Sequence, residues 1–214
     1  MYYLITMICG IVAGNFTSQY AFLLLKDEKK ILSRSNIILS ILHGLFWTGI
    51  VYCCGIDYVS VLYCVTASAL LGLSIVDWCS YEIPIGYNIL ILVLGCIRLA
   101  MDIEHWPLYI IGMFLVSGIF FILLIATKGR GMGGGDVKLM FTCGLLLGWK
   151  KILLVMILGS ILGALIHTII TKASREEHML AFGPYLSGAC IVAMCYGEQL
   201  IDLYTRYFMS GVQM

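Results

Sequence analysis

Charge is what this sequence has least of. Of its 214 residues only 12% are Asp, Glu, Lys or Arg, while 61% are apolar; an ordinary soluble domain carries roughly 25% charged residues. A water-soluble fold of that composition could not solvate its own surface. No Cys-x-x-Cys pair occurs among the nine cysteines, and most of them fall inside apolar runs. That excludes the usual zinc spacings and a disulfide framework and leaves the cysteines as small core residues. The 13 Lys and Arg residues form no basic stripe interleaved with aromatics, so nucleic acid is excluded as a partner. Nor is there a soluble insert or a low-complexity tail.

What the chain does have is long apolar runs. A bilayer core of about 30 Å needs roughly 20 such residues per spanning helix. Backbone groups in lipid must bond internally, and runs that are long and unalternating choose helices over a barrel. The fold class expected is an all-α polytopic bundle of about eight spans, at about 2–25, 36–54, 58–77, 85–101, 107–127, 137–149, 151–171 and 180–200. The sixth, about 13 residues long, is short, tilted or re-entrant. The whole chain, 1–214, reads as one membrane domain, with two N-terminal spans in 1–57 joined by a short basic loop. The first run lacks a basic start and an Ala-x-Ala-like cleavage site, so it is expected to be a retained span and not a signal peptide. The triplet Asn15-Phe16-Thr17 falls inside it and is discarded as a glycosylation acceptor.

Positive loops stay cytoplasmic. With the first span running inward, the inner connections hold Lys26, Lys29, Lys30, Arg34, Lys128, Arg130, Lys138, Lys172 and Arg175, against Arg98, Lys150, Lys151 and Arg206 elsewhere. Both termini and the acidic stretch at 102–105 are then outside.

Ionisable groups in or near spans cost about 2.5 to 3.5 kcal/mol each on insertion scales, so each asks for a reason. Asp77 ends the third span and Asp136 opens the sixth, both at the cytoplasmic boundary of this topology. Two carboxylates held close cannot both ionise easily, so the pair holds one proton between them. The ionised member can deprotonate a water that attacks a peptide carbonyl, and the protonated member can polarise that carbonyl and later protonate the leaving nitrogen. Neither a metal nor another cofactor is needed. Gly129, Gly131, Gly133, Gly134 and Gly135 precede Asp136; at about 1 kcal/mol per glycine relative to alanine they oppose a helix there. A mobile loop is expected, open to close approach by an extended substrate backbone. It lacks the Gly-Lys-Ser/Thr ending and the preceding strand of a nucleotide loop.

These residues carry a resemblance. Gly133-Gly134-Gly135-Asp136 fits the Gly-x-Gly-Asp motif of the type IV prepilin peptidases, a family of membrane aspartic proteases. Asp77 followed by Ile83-Pro84 resembles the family's first aspartate motif, and Phe182-Gly183-Pro184 resembles the segment that opens its last span. The resemblance covers about 58–200. It implies that Asp77 and Asp136 are the catalytic pair and that Gly131, Gly133, Gly134, Gly135, Lys138, Phe182, Gly183 and Pro184 form the surrounding loop and substrate contacts. It further implies a prepilin or pilin-like substrate, cut at the cytoplasmic face of a bacterial inner membrane after a short basic leader ending in glycine. Many members also methylate the new amino terminus through an insert with cysteine pairs between the first two spans. Here that connection is Lys26 to Ser35, so methylation is not expected. Ile85-Gly86 departs from the acidic residue that many members place after Ile-Pro.

Simpler roles compete. Asp136 alone suits a helix cap, Pro184 a first helical turn, and Lys138 a positive-inside anchor. His43 and His167 stand singly in apolar spans and are expected to pack, not to bind metal. Trp78 and Tyr81 suit an interfacial aromatic belt. A proton-coupled transporter using both aspartates as a relay is the alternative function; it would place its acids nearer mid-bilayer.

Overall fold

The computed structural model describes residues 1–25, 35–129, 132–174 and 181–211. The expected basic residues between 26 and 34, together with Arg130, Gly131 and Arg175 and the side chains of His167 and Lys172, lie outside the described residues.

The protein is a polytopic helical membrane protein. Its helices are α1 (Tyr2–Leu24), α2 (Ser35–Cys54), α3 (Tyr58–Ser80), α4 (Ile85–Met101), α5 (Trp106–Ala126), α6 (Gly134–Ser174) and α7 (Gly183–Gly211), with one 3-10 turn at Ile103–His105 before α5. Six helical stretches are long and apolar enough to cross a membrane, and Ile85–Met101 is a shorter apolar helix. Large apolar side chains such as Ile5, Phe16, Ile38, Phe114 and Ile122 are exposed on the outside. Ser18, Thr66, Ser68, Ser117 and Ser187 are buried inside. That is the arrangement expected when the surrounding solvent is lipid and packing, not water exclusion, selects the interior. Of the cysteines, Cys64, Cys143 and Cys190 are buried as expected, whereas Cys9, Cys79 and Cys96 lie on the exposed surface. A thiol is apolar enough to face lipid as readily as core.

The expected sixth and seventh spans form one helix by hydrogen bonding, but α6 is broken at Gly148, whose φ of 76° and ψ of 170° are not helical. The contacts of its two legs show that the chain reverses there. On the first leg, Gly144 packs on Gly112 of α5 and Gly148 reaches Leu108. On the second, Lys151 packs on Gly197, Gly159 on Leu186 and Gly163 on Phe182. The first leg therefore runs antiparallel to α5 and the second antiparallel to α7. Both halves of the expected pair exist, joined by one glycine instead of a loop.

The bundle has two distinct ends. At one, Arg98 donates to the Tyr58 hydroxyl at 2.8 Å and lies 3.8 Å from Asp102. Asp102 also accepts from Tyr109 and contacts His105, hydrogen bonds that hold its carboxyl below the usual carboxylate range. Lys151 pairs with Glu198 at 2.9 Å nearby. The other end holds Asp77, Asp136 and the amino end of α7. Tyr3 lies tilted against Tyr52, which belongs with the first end, and Tyr20 meets edge to face Tyr87, which belongs with the second. The α1 amino terminus is thus opposite the aspartates. His43 packs as expected, buried with Nδ1 2.8 Å from the Leu39 carbonyl.

Candidate active site

Asp77 lies three residues before the end of α3, facing inward, with 4% of its surface exposed. After Ser80 the chain turns sharply at Tyr81, a left-handed residue (φ 56°, ψ 26°) whose N–H donates to the Asp77 carbonyl at 2.9 Å. Left-handed backbone caps many helices, normally on glycine, and a tyrosine there is uncommon. The turn folds Ile83 and Pro84 back beneath the helix end. Trp78, Tyr81 and Glu82 face outward, as the belt reading expects of the aromatics.

Asp136 is also buried, 5% exposed. The glycine run ahead of it is more ordered than its composition suggests, because α6 begins at Gly134 and not after Asp136. Asp136 is therefore the third residue of the helix. Its Oδ2 accepts from the Gly133 N–H at 3.2 Å, the N3 side-chain half of a capping box, while its own N–H donates to the Gly133 backbone carbonyl at 3.2 Å. This first-turn bonding offsets the cost of consecutive glycines, and the positive end of the helix dipole favours an acid there. The cap uses only one carboxyl oxygen. Oδ1 is buried and has no hydrogen-bond partner among the described residues.

The Phe182-Gly183-Pro184 segment meets Asp77 directly. Phe182 precedes the helix and accepts from the N–H groups of Tyr185 and Leu186 at 3.2 Å; Pro184, without an N–H, fits the first turn at no hydrogen-bond cost. The Gly183 N–H, one of the donors a helix start leaves free, donates to Asp77 Oδ2 at 2.9 Å. A Cβ on residue 183 would stand 2.6 Å from that oxygen. The Phe182 ring rests on Phe120, centroids 6.2 Å apart.

The two aspartate segments also touch each other. A Cβ on Gly135 would fall 2.9 Å from Ile83 Cβ, so the Ile-Pro turn after Asp77 packs on the glycines before Asp136. The structure thus gathers Asp77, Asp136, Gly133, Gly135, Gly183 and Phe182 at one end of the bundle. Gly134 is exposed beside them, and Lys138 is exposed two residues beyond Asp136 without an ion pair among the described residues. Two contacts were not readable beforehand: Ile83 against Gly135, and the backbone donor that Gly183 presents to Asp77. Cavities flank the site on both sides. One of about 350 Å³ is bounded by Trp78, Cys79, Pro184 and α2. The other, of about 460 Å³, starts at Ile85, Val137 and Lys138.

A sequence profile described as the type IV leader peptidase family matches residues 64–168. The chain is 30% identical over 100 residues to a prepilin leader peptidase/N-methyltransferase of Stutzerimonas stutzeri, covering 46% of this chain and 35% of that protein. It is 28% identical over 129 residues to the protein of that name from Pseudomonas aeruginosa (55% and 44%) and 30% over 117 residues to that from Bacillus subtilis (53% and 46%). The matches thus span less than half the length of each of these relatives. No solved structure matches. The matched segment carries Asp77, the Ile83-Pro84 turn and the glycines leading to Asp136, and over it the chain is similar to the type IV leader peptidase family.

Proposed function

We propose that the protein is an aspartic endopeptidase that removes the leader of a prepilin or pilin-like substrate, working at the cytoplasmic face of a bacterial inner membrane through Asp77 and Asp136. The observation that carries this reading is the convergence of two buried aspartates from separate helices, each with one carboxyl oxygen held by a glycine N–H. Anchoring of that kind fixes the carboxyl planes and leaves the other oxygens for chemistry, the arrangement a shared-proton pair needs. In the proposed reaction the ionised aspartate takes a proton from water as the oxygen attacks the scissile carbonyl. The protonated aspartate donates to the carbonyl oxygen, and the nitrogen leaves after protonation. Both carboxyls are needed in opposite protonation states, so activity falls when the pair holds two protons or none.

The site residues act around that pair. Gly133, Gly134, Gly135 and, by the family motif, Gly131 leave room for a substrate backbone beside Asp136. Gly183, Phe182 and Pro184 set the donor that orients Asp77. Lys138 stands at the mouth, where an ammonium can meet an acidic group of the substrate. We place the catalytic core at about 58–200 and leave amino-terminal methylation out of the activity, because residues 26–35 hold no cysteine pair.

The test is co-expression with a prepilin from the same genome, reading the mass of its amino-terminal peptide. The native chain is expected to release a product with an unmethylated amino terminus. Asp77→Asn and Asp136→Asn, present in the membrane at native level, are expected to lose at least about a thousandfold in rate, within the range for removing an acid-base group. Cleavage by either variant near the native rate overturns the two-aspartate mechanism.

A further inference from the structure

Resting on the peptidase reading, we infer that the groove between α4, α5 and α6 seats the apolar segment of the substrate next to the scissile bond, with Asn88 hydrogen-bonding its unwound backbone.

The groove is the larger of the two cavities. Its lips are exposed apolar residues, Ile85 and Ile89 from α4 and Phe114 and Phe121 from α5. It begins beside the aspartates, since Ile85 follows the Ile-Pro turn and Val137 follows Asp136. It is closed further along by Phe114 and Phe141, edge to face with centroids 5.6 Å apart. From Ile85 to Leu92, one lip runs about 10 Å at 1.5 Å per residue, the length of about three extended residues.

Asn88 is what points to an occupant. It lines this groove, is 4% exposed, and neither its Oδ1 nor its Nδ2 has a hydrogen-bond partner among the described residues. A buried amide left unpaired costs on the order of 1 to 3 kcal/mol, so its place on an otherwise apolar helix asks for a partner that arrives with a ligand. A lipid tail offers none. A spanning helix offers none either, since its peptide groups bond internally. A peptide that has been unwound for hydrolysis has free N–H and C=O groups at this depth, and a carboxamide presents both complementary groups in one plane. Ser117 and Thr142, on the same wall, spend their hydroxyl protons on the Met113 and Leu139 carbonyls and so add only acceptors.

Two features make the inference testable without disturbing the core. Gly118 lines the groove, and a Cβ there would meet nothing within 4 Å; Gly49 on α2 is equally open and lies away from the groove. Gly118→Phe therefore fills the groove, and Gly49→Phe is its control. In purified, detergent-solubilised enzyme acting on full-length prepilin, Gly118→Phe and Asn88→Leu are expected to raise KM about tenfold with kcat little changed. Asn88→Gln, which keeps the carboxamide donor and acceptor, is expected to recover most of that loss, and Gly49→Phe to behave as native. In an Asp136→Asn background, a photo-crosslinking side chain at Ile89 is expected to form adducts with the apolar segment of the prepilin. Native KM values for both Gly118→Phe and Asn88→Leu, or Ile89 adducts with lipid alone, overturn the groove assignment while leaving the peptidase reading standing. If the native chain cuts no prepilin, the peptidase reading falls and this inference with it.

Discussion

Gly183 lets a helix start touch a carboxylate. Because any Cβ there would sit 2.6 Å from Asp77 Oδ2, Gly183→Ala must push either α7 or the aspartate aside by several tenths of an ångström. A displacement on that scale at a reacting group costs far more in rate than in stability. Gly183→Ala is expected to lower kcat/KM for prepilin cleavage at least about a hundredfold while shifting the thermal midpoint in detergent by only a few degrees; equal loss of both would make the glycine merely structural. Gly135 and Ile83 offer a second case. Gly135→Ala creates a 2.9 Å clash with Ile83 Cβ, and Ile83→Gly removes the clashing atoms. The double variant is expected to be more stable than the sum of the singles predicts by on the order of 1 kcal/mol, the coupling of directly touching residues; additivity in a double-mutant cycle would show that the two turns do not bear on each other. At this scale the sequence disclosed Asp77 and Asp136, because acids at span ends are rare enough to demand a reason, and the Phe-Gly-Pro triplet by resemblance. It did not disclose the Gly183 bond to Asp77 or the Ile83 contact with Gly135. Those depend on how α3, α6 and α7 pack, across sequence separations that no local pattern records.

Helix α6 shows what element-level reading can and cannot reach. Apolar stretches at about 137–149 and 151–171 read as two segments, and two antiparallel legs are present. The reversal through a single residue was not legible, because nothing in composition distinguishes Gly148 from the other helical glycines of this chain. Its φ of 76° with ψ of 170° lies where only glycine is at ease. Gly148→Ala is expected to destabilise the protein by about 1 to 3 kcal/mol, seen as a lower thermal midpoint, whereas Gly118→Ala, in an ordinary helix with open space around it, is neutral or slightly stabilising. Equal midpoints for the two variants would mean the reversal at Gly148 carries no strain for a side chain. The glycine run before Asp136 taught the converse. Summed propensities argued for a loop, and the reciprocal bonding of Gly133 with Asp136 made it the first turn of a helix. The functional consequence lies in the length of the first leg. About 14 residues from Gly134 to Leu147 rise only about 21 Å, short of a hydrocarbon core of about 30 Å. If the Gly148 turn sits at the outer boundary, Asp136 lies inside the membrane thickness and not in bulk water.

For the whole molecule, the orientation of the bundle decides which compartment supplies the scissile peptide. Counting the two legs of α6 separately gives eight helical segments among the described residues, so the start of α1 and the end of α7 lie on the side away from the aspartates. The positive-inside argument favours the cytoplasm for the aspartate end on the strength of Lys128, after α5, and Lys138, in the first turns of α6. Glu82, exposed just past the Tyr81 turn, and Glu104, exposed in the 3-10 turn before α5, mark the two ends. In a background without the native cysteines, Glu104→Cys is expected to react with a membrane-impermeant maleimide added to intact spheroplasts, and Glu82→Cys only once the membrane is opened. The reverse pattern would place Asp77 and Asp136 on the outer face. A leader exposed to the cytoplasm before export could then not be their substrate, whatever the chemistry of the pair, because a charged amino-terminal leader does not cross the hydrocarbon core unaided.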